Sequence, residues 1–247
     1  MPLDLLMIVL GAFAAAFAVG AAGFGDGLVA TAFWLPVLAP HEAVPLVVSL
    51  GMTIQIVVMW RLRGGLDFRH VKPFLIGGAL GVPVGSFLLA YADPDLFRFT
   101  MGVFLTIYAG IFLSLRNIPT LSDGGRVLDG GIGGIGGLLG GLAGLSGFIP
   151  ALWCAQRGWP PAEQRGVMQP YIMAMHGMAL AWLAVGGMVT MKTAESYLWT
   201  LPGIALGCWL GLRFYGRLDA AKFRRAVLVM LMIAGVLLLV QTGGKVL

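Results

Sequence analysis

Polar side chains that could bind a ligand are concentrated in two otherwise apolar segments, at residues 43–60 and 166–189. They are Ser49, Thr53, Gln55, Gln169, Tyr171 and His176. Hydroxyl, amide and imidazole groups donate and accept hydrogen bonds, so together they could line a cavity for a small anion. Alternatively, they join neighbouring helices through hydrogen bonds of about 1 kcal/mol each. The sequence leaves both interpretations open.

Two glycine-rich segments precede these polar residues and could bring backbone amides to the same ligand. Their candidate binding residues are Gly20, Gly23, Phe24, Gly25, Asp26 and Gly27 in the first segment and Gly144, Ser146 and Gly147 in the second. Glycine allows positive φ and close approach to the backbone, so a helix can end and restart there. We expect restarts at 26–28 and 147–149, with N-terminal N–H groups that favour anions. The alternative is close helix packing through small residues.

Asp26 is the one carboxylate inside a glycine-rich segment. An ionisable group within a membrane segment is costly and usually functional. Asp26 is therefore a candidate to carry a coupling proton. The alternative is that it only caps the N-terminus of the next helix.

The sequence contains no arrangement of residues that is typical of an enzyme. Its three histidines and two cysteines are scattered, and we find no nucleophile beside a base and no phosphate-binding loop. After His41 and Glu42, position 45 is a proline, so the H-E-x-x-H motif of zinc proteases is not completed. We expect no catalytic residue, no metal and no cofactor.

The composition is that of a membrane protein. Hydrophobic residues make up 59% of the 247 residues and charged residues only 11%, and the mean hydropathy is +0.91. Several apolar stretches approach the ~20 residues that cross a bilayer. The net charge of +5 comes from basic residues in short loops, which indicates membrane topology rather than a nucleic-acid partner.

Each half of the chain is interpreted as five apolar segments. They are 3–22, 24–39, 43–60, 73–92 and 96–115 in the first half and 127–145, 147–158, 166–189, 197–216 and 223–242 in the second. This predicts an all-α polytopic membrane protein with about eight to ten transmembrane helices. The predicted domains are a first repeat at 1–116, a linker at 117–126 and a second repeat at 127–247. The second segment of each half is short, so we expect the first two segments of each half to form a re-entrant hairpin, or a pair of short helices, with the glycine-rich turn at membrane depth; full crossing is the alternative.

The two halves share a residue pattern, which indicates an internal repeat. Gly20, Pro40 and Glu42 recur 121 positions later as Gly141, Pro161 and Glu163. Gln55 and His176 have the same separation. Later in each half, the glycines at 77, 81 and 85 recur 126 positions on, at 203, 207 and 211. Such doubling, in inverted topology, is typical of secondary transporters with a mid-membrane site.

The basic residues predict how the halves are oriented. If the 61–72 loop is cytoplasmic and sides alternate, most of the 16 Lys and Arg residues lie inside, as the positive-inside rule expects. Both termini then face outward from a bacterial inner membrane. The loop at 93–98 lies outside, whereas its counterpart at 219–225 is basic and lies inside, so the repeats are inverted.

Several motifs together resemble the TauE/SafE family of sulfite and organosulfonate exporters over essentially the whole chain. They are the glycine-rich 20–27, the helix start at 40–44, the Gly-Gly-Leu-Asp at 64–67, the glycines at 77, 81 and 85, and the Phe-Arg pairs at 97–98 and 223–224. The resemblance implies a polytopic permease that moves small sulfur-containing anions such as sulfite or sulfonates.

The sequence therefore predicts an exporter of small sulfur-containing or organic anions that works by alternating access at a site between the repeats. Its partners would be the anion, the lipid bilayer and a coupled proton or other ion, with no nucleic acid. The alternatives are an anion channel of the same fold and a non-catalytic membrane subunit of a larger complex. Glycines at every fourth position within 130–144 indicate a helix-packing ridge, which could serve internal packing or a homodimer.

Overall fold

The structure is a computed structural model that describes residues 3–62, 68–114, 124–215 and 220–246. Within these ranges the chain forms ten α-helices and no β-strand, in agreement with the predicted all-α class. The predicted linker lies outside the described residues up to position 123. The 64–67 motif and Asp219 also lie outside them.

The helices follow one another with short connections. In chain order they are α1 Leu3–Ala22, α2 Asp26–Trp34, α3 Pro40–Leu62, α4 Phe68–Ala90, α5 Pro94–Ser114, α6 Gly125–Ala143, α7 Phe148–Gln156, α8 Pro161–Val185, α9 Met191–Phe214 and α10 Ala220–Val246. Two of the starts, α2 and α7, fall where the glycine-rich segments predict a helix to restart.

Five helices of the described ranges are long and apolar enough to cross a membrane: α1, α3, α4, α5 and α10. Helices α6, α8 and α9 have 19, 25 and 24 residues. Their length reaches the ~20 residues of a span, but α6 is rich in glycine and α8 carries polar side chains. Helices α2 and α7 have nine residues each and so cover only about 14 Å of the ~30 Å hydrocarbon layer.

The most extensive helix pairs join the two halves of the chain: α4 packs on α6, α1 on α9 and α5 on α10. Glycines make the first two contacts close. A Cβ atom on Gly81 would overlap the backbone of α6 at Gly134, and one on Gly207 would overlap the backbone of α1 at Phe13. Small residues let backbones approach in this way where side chains would keep them apart. The ridge within 130–144 thus contacts α4 of the same chain.

Helices α3 and α8 pack against each other at the centre of the bundle. A Cβ on Gly177 would lie 3.8 Å from Met52 Cε, and Gly51 faces the ring of His176. Around this crossing, α4 packs on α8 and α9 packs on α3. The crossing places the polar faces of α3 and α8 in the interior.

Candidate functional site

Two short non-helical stretches separate α1 from α2 and α6 from α7. In the first, Gly23 and Gly25 have φ of 95° and 101°, and in the second Gly144 has φ of 73°. These left-handed conformations strain any residue with a Cβ, so glycine lets the chain turn here. The Gly144 N–H donates to the carbonyl of Gly140 at 2.9 Å, which closes the last turn of α6.

The two stretches contact each other. A Cβ on Gly27, in the first turn of α2, would overlap the carbonyl oxygen of Gly144. Gly144 itself lies against Val47 of α3. The N-terminus of α2 therefore meets the segment that leads into α7, and the positive ends of both helix dipoles lie in this region.

One face of α8 supplies polar side chains to the first stretch. Arg165, Gln169 and His176 lie at positions i, i+4 and i+11, a spacing that places them on one side of a helix. Gln169 Nε2 donates to the carbonyl of Gly23 at 2.8 Å. Arg165 Nη2 donates to the carbonyl of Gly20 at 3.3 Å, and its guanidinium lies 3.9 Å from the centre of the Tyr215 ring.

His176 connects the two stretches. Its Nε2 lies 3.3 Å from the carbonyl oxygen of Gly144, and its Nδ1 lies 3.8 Å from Asp26 Oδ2. Because a carbonyl only accepts, Nε2 carries the proton in that hydrogen bond. The lone pair of a neutral imidazole is then on Nδ1 and faces a carboxylate oxygen. Two hydrogen-bond acceptors, His176 Nδ1 and Asp26 Oδ2, therefore face each other, and a proton bound to either one would allow a hydrogen bond between them.

Gly51 has no side chain and so leaves space for the Asp26–His176 pair. A Cβ at position 51 would lie 2.7 Å from Asp26 Oδ2 and would overlap the His176 ring. Gln55 follows Gly51 by four residues and so lies on the same face of α3. Gln55 and His176 are both fully buried.

The cluster contains buried polar atoms that have no hydrogen-bond partner among the described residues. They are Asp26 Oδ2, Gln55 Nε2 and Oε1, Ser146 Oγ, Arg165 Nη1, Gln169 Oε1 and His176 Nδ1. Most buried polar atoms in proteins are paired, so a group of unpaired ones indicates capacity for a ligand. Gln55 Nε2, Arg165 Nη1 and the Ser146 hydroxyl are the donors in this set and suit an oxyanion.

The other candidate residues have different surroundings. Ser49 Oγ donates to the carbonyl of Pro45 at 2.8 Å. Thr53 Oγ1 donates to the carbonyl of Ser49 at 3.0 Å and lies 2.6 Å from the Tyr197 hydroxyl. The Tyr171 hydroxyl donates to the carbonyl of Gly133 at 2.7 Å. These three side chains have partners within the protein.

The remaining glycine-segment candidates are packed or half-exposed. Gly20 is in close contact with the backbone of Gly211, and Gly147 lies against the side chain of Ile172. Gly25 has open space where a Cβ would lie. Phe24 is half-buried.

Gly25 holds the N-cap position of α2, and no side chain forms a cap hydrogen bond there. Asp26 is instead the first residue of the helix. The interpretation of Asp26 as an N-cap is therefore wrong. Its buried carboxylate faces His176, as described above.

Sequence reasoning missed Arg165 and Gly51. The third segment of the second half is predicted to begin at 166, which leaves Arg165 in the loop before it. Helix α8 begins at Pro161 instead, which buries Arg165 in its second turn with 7% of its surface exposed. The spacing of four between Arg165 and Gln169 is the signal that could have identified it.

A second buried charged cluster lies between α6 and the end of α7. Arg157 Nη1 donates to both Asp129 oxygens, at 2.8 and 3.0 Å, and Trp153 Nε1 donates to Asp129 Oδ1 at 2.8 Å. The Arg157 guanidinium also lies 4.6 Å from the centre of the Trp159 ring. Neither member of the ion pair was identified as functional from the sequence.

A comparison with protein families identifies one that covers nearly the whole chain. The family model for the sulfite exporter TauE/SafE matches residues 8–238. No curated protein and no solved structure matches the chain.

Proposed function

The chain belongs to the sulfite exporter TauE/SafE family, and from that premise we propose that it exports small sulfur-containing anions such as sulfite or sulfonates. The family and the apolar helices together make it a multi-pass membrane transporter. The observation that carries the proposal is the buried cluster of unpaired polar atoms where the two glycine stretches meet. We place the substrate there.

The chemistry of the cluster suits an oxyanion. Arg165 supplies a positive charge, and its Nη1 has hydrogen-bonding capacity in addition to its contact with Gly20. The amide of Gln55 adds a donor in the interior. The N-termini of α2 and α7 favour negative charge through their free N–H groups. A sulfite or sulfonate group has three oxygens that can accept these hydrogen bonds.

The proposal includes two inverted repeats that move relative to each other. In such a repeat, α1 to α5 correspond in order to α6 to α10, so α4 is equivalent to α9 and α6 to α1. The contact of α4 with α6 then matches the contact of α9 with α1, which supports the repeat. The central pairs α3–α8 and α5–α10 each join equivalent helices. The side chains that carry the unpaired polar atoms of the cluster are at most 7% exposed, so alternating access requires that the bundle open to one side at a time.

Asp26 and His176 form the proposed proton site. A proton between Oδ2 and Nδ1 removes the conflict between two acceptors and makes the cluster more positive. Substrate affinity and proton binding would then be linked. His176 is a titratable side chain that faces Asp26, and Gly51 of α3 lies against both groups.

The membrane potential is a sufficient driving force for export in this proposal. A bacterial cell is negative inside, so a monoanion gains about 2.3 kcal/mol per 100 mV on leaving. Both termini are placed outside in a bacterial inner membrane, as the basic residues predict.

The test is anion flux in proteoliposomes that contain the purified protein. We expect saturable, protein-dependent flux and counterflow of sulfite or a sulfonate, with less flux of chloride or acetate. A conductance without saturation or counterflow would assign the chain to the channel class instead. Absence of flux with every sulfur anion would refute the proposal.

The variant Arg165→Met links that flux to the site, since it removes the buried charge while keeping an unbranched apolar chain. Arg213→Met is the matched control, because Arg213 is exposed on α9 with its guanidinium 5.6 Å from the Trp209 ring. We expect loss of flux only in the first. Equal flux in both variants would exclude Arg165 from the binding site.

A further inference from the structure

The outer surface of the α4–α6 pair carries two adjoining cavities that lie apart from the central cluster. The larger is an open groove of about 750 Å³ whose walls include Ile76 and Leu80 of α4 and Val127 of α6. The smaller has a volume of about 170 Å³. The two share Arg69, Pro73 and Arg126 in their linings, so they form one continuous surface feature.

The smaller cavity is strongly basic. Among the described residues, Arg69, Arg126, Arg157 and His70 line it, and Asp129 supplies a carboxylate. Asp129 is already bound by Arg157 through both oxygens. Among the described residues, this lining holds more basic than acidic side chains, so the cavity favours an anion.

The groove changes from basic to apolar along its length. Lys72 and Arg126 line its start, in the first turns of α4 and α6, and Ile76 and Leu80 continue it along α4. From Lys72 to Leu80 the helix rises about 12 Å. Ile76 is 67% exposed, Leu80 73% and Val127 89%. An apolar surface of this exposure suits hydrocarbon chains rather than water.

The basic end also lies at the depth of lipid headgroups. The positive-inside rule places the starts of α4 and α6 at the cytoplasmic surface, where basic pockets between helices bind anionic headgroups. Charge at the surface and hydrocarbon below it match one phospholipid molecule. A second copy of the chain is a poorer occupant, because a twofold interface would bring the same cationic patches together.

We propose that the α4–α6 groove binds an anionic phospholipid of the cytoplasmic leaflet. Its phosphate lies in the basic cavity near Arg126 and Lys72, and an acyl chain follows Ile76 and Leu80. The lipid spans both helices of a pair that joins the two halves of the chain. Bound lipid therefore stabilises the α4–α6 contact.

The test uses the full-length protein in detergent and native mass spectrometry with added phosphatidylglycerol, phosphatidylcholine or inorganic phosphate. We expect phosphatidylglycerol to bind about thirty-fold more tightly than phosphatidylcholine, which is the effect of two surface cations. Equal affinity for the two lipids would overturn the proposal. Displacement of the lipid by inorganic phosphate at equal concentration would assign the cavity to a free oxyanion and would also overturn it.

Charge variants locate the headgroup. Lys72→Ala with Arg126→Ala should weaken phosphatidylglycerol binding about five-fold for each residue and about thirty-fold together. The control is Arg224→Ala with Arg225→Ala, which removes the same charge from the first turns of α10. If both double variants lost the same phosphatidylglycerol affinity, the protein's net charge would explain the loss, and the proposed headgroup site would be refuted.

A substitution that fills the groove tests whether the acyl chain binds there. A Cβ on Gly130, which lines the groove, would lie 3.6 Å from its nearest neighbour, the carbonyl of Pro73. Gly130→Leu can therefore be accommodated while it occupies the groove. The neighbouring Gly131 has no atom within 4 Å of such a Cβ, so Gly131→Leu is the matched control. Loss of lipid binding is expected only for Gly130→Leu, and unchanged binding in both variants would exclude this groove.

Discussion

His176 and Asp26 are 150 positions apart in the chain, yet His176 Nδ1 lies 3.8 Å from Asp26 Oδ2. Both side chains are at most 5% exposed. The pair links α8 to the start of α2, and therefore links the two halves of the chain. A proton bound there would affect the contact between the halves as well as the charge of the proposed substrate site.

Asp26→Asn tests this proton site. Asparagine has the shape of aspartate and can donate a hydrogen bond to Nδ1, so we expect the fold to be retained. If Asp26 carries a coupling proton, transport in proteoliposomes should lose its dependence on pH in this variant. Asp4→Asn, at an exposed position of α1, is the control. A wild-type pH profile in Asp26→Asn would exclude the proton role.

Gly51→Ala should disrupt the centre of the site by volume alone. The added methyl would lie 2.7 Å from Asp26 Oδ2 and would overlap the His176 ring. Overpacking of this kind costs about 1–3 kcal/mol. We expect a lower unfolding temperature in detergent and loss of flux from the protein that remains folded.

Gly177→Ala is the matched control for Gly51→Ala. Both glycines lie where α3 and α8 cross, but a Cβ at 177 would be 3.8 Å from Met52 Cε, an ordinary contact distance. We expect near wild-type stability and flux. Equal damage from both substitutions would show that the α3–α8 crossing, rather than the Asp26–His176 pair, is what Gly51 protects.

Gln55→Leu should separate stability from substrate binding. Both polar atoms of the Gln55 amide are buried without partners, and such groups cost about 1–3 kcal/mol. The variant should therefore be as stable as the wild type or more so. A bound substrate raises the free energy of unfolding by about 2.7 kcal/mol at a hundredfold excess over Kd, which appears as a higher unfolding temperature. Gln55→Leu should lose this thermal shift.

Thr53→Val should show the opposite result. Its hydroxyl lies 2.6 Å from that of Tyr197, so removal of this contact should cost about 1 kcal/mol of stability. The shift with sulfite or a sulfonate should be retained. If Gln55→Leu kept its shift while Thr53→Val lost it, the substrate would have to be placed on the α9 side of α3.

Some of the fold and site could be predicted from the sequence because local backbone chemistry determines them. The glycines around positions 23 and 144 require helix ends, and α2 and α7 begin close to where they predict. The spacing of 121 between Gln55 and His176 indicates equivalent positions, which stays a prediction; both side chains are fully buried. Arg165 was missed because charge alone does not distinguish a loop from the first two turns of a helix. Pro161, a residue favoured at the first helical position, would have placed Arg165 inside α8.

The helix partners could not be predicted in the same way. A ridge of glycines fits any backbone that approaches it, so the sequence left internal packing and a dimer equally open for residues 130–144. Only the three-dimensional arrangement shows that this ridge contacts α4. The Asp129–Arg157 pair was missed for a similar reason, since its members are 28 positions apart and have no repeat equivalent among the patterns that the sequence displays.

Arg157→Met should destabilise the protein strongly. It would leave the Asp129 carboxylate, whose side chain is only 4% exposed, without its bidentate partner, and breaking a buried pair in this way costs about 3–5 kcal/mol. Lys192→Met is the control, because Lys192 also donates to a carboxylate, that of Glu42 at 2.8 Å, but is largely exposed. The hydrogen bond to Glu42 raises the pKa of Lys192, so Lys192 keeps its charge over the neutral range and loses it only at alkaline pH. Thermal unfolding at neutral pH should therefore shift far more in Arg157→Met than in Lys192→Met. Similar shifts would mean that the Asp129–Arg157 pair is as well solvated as the exposed one.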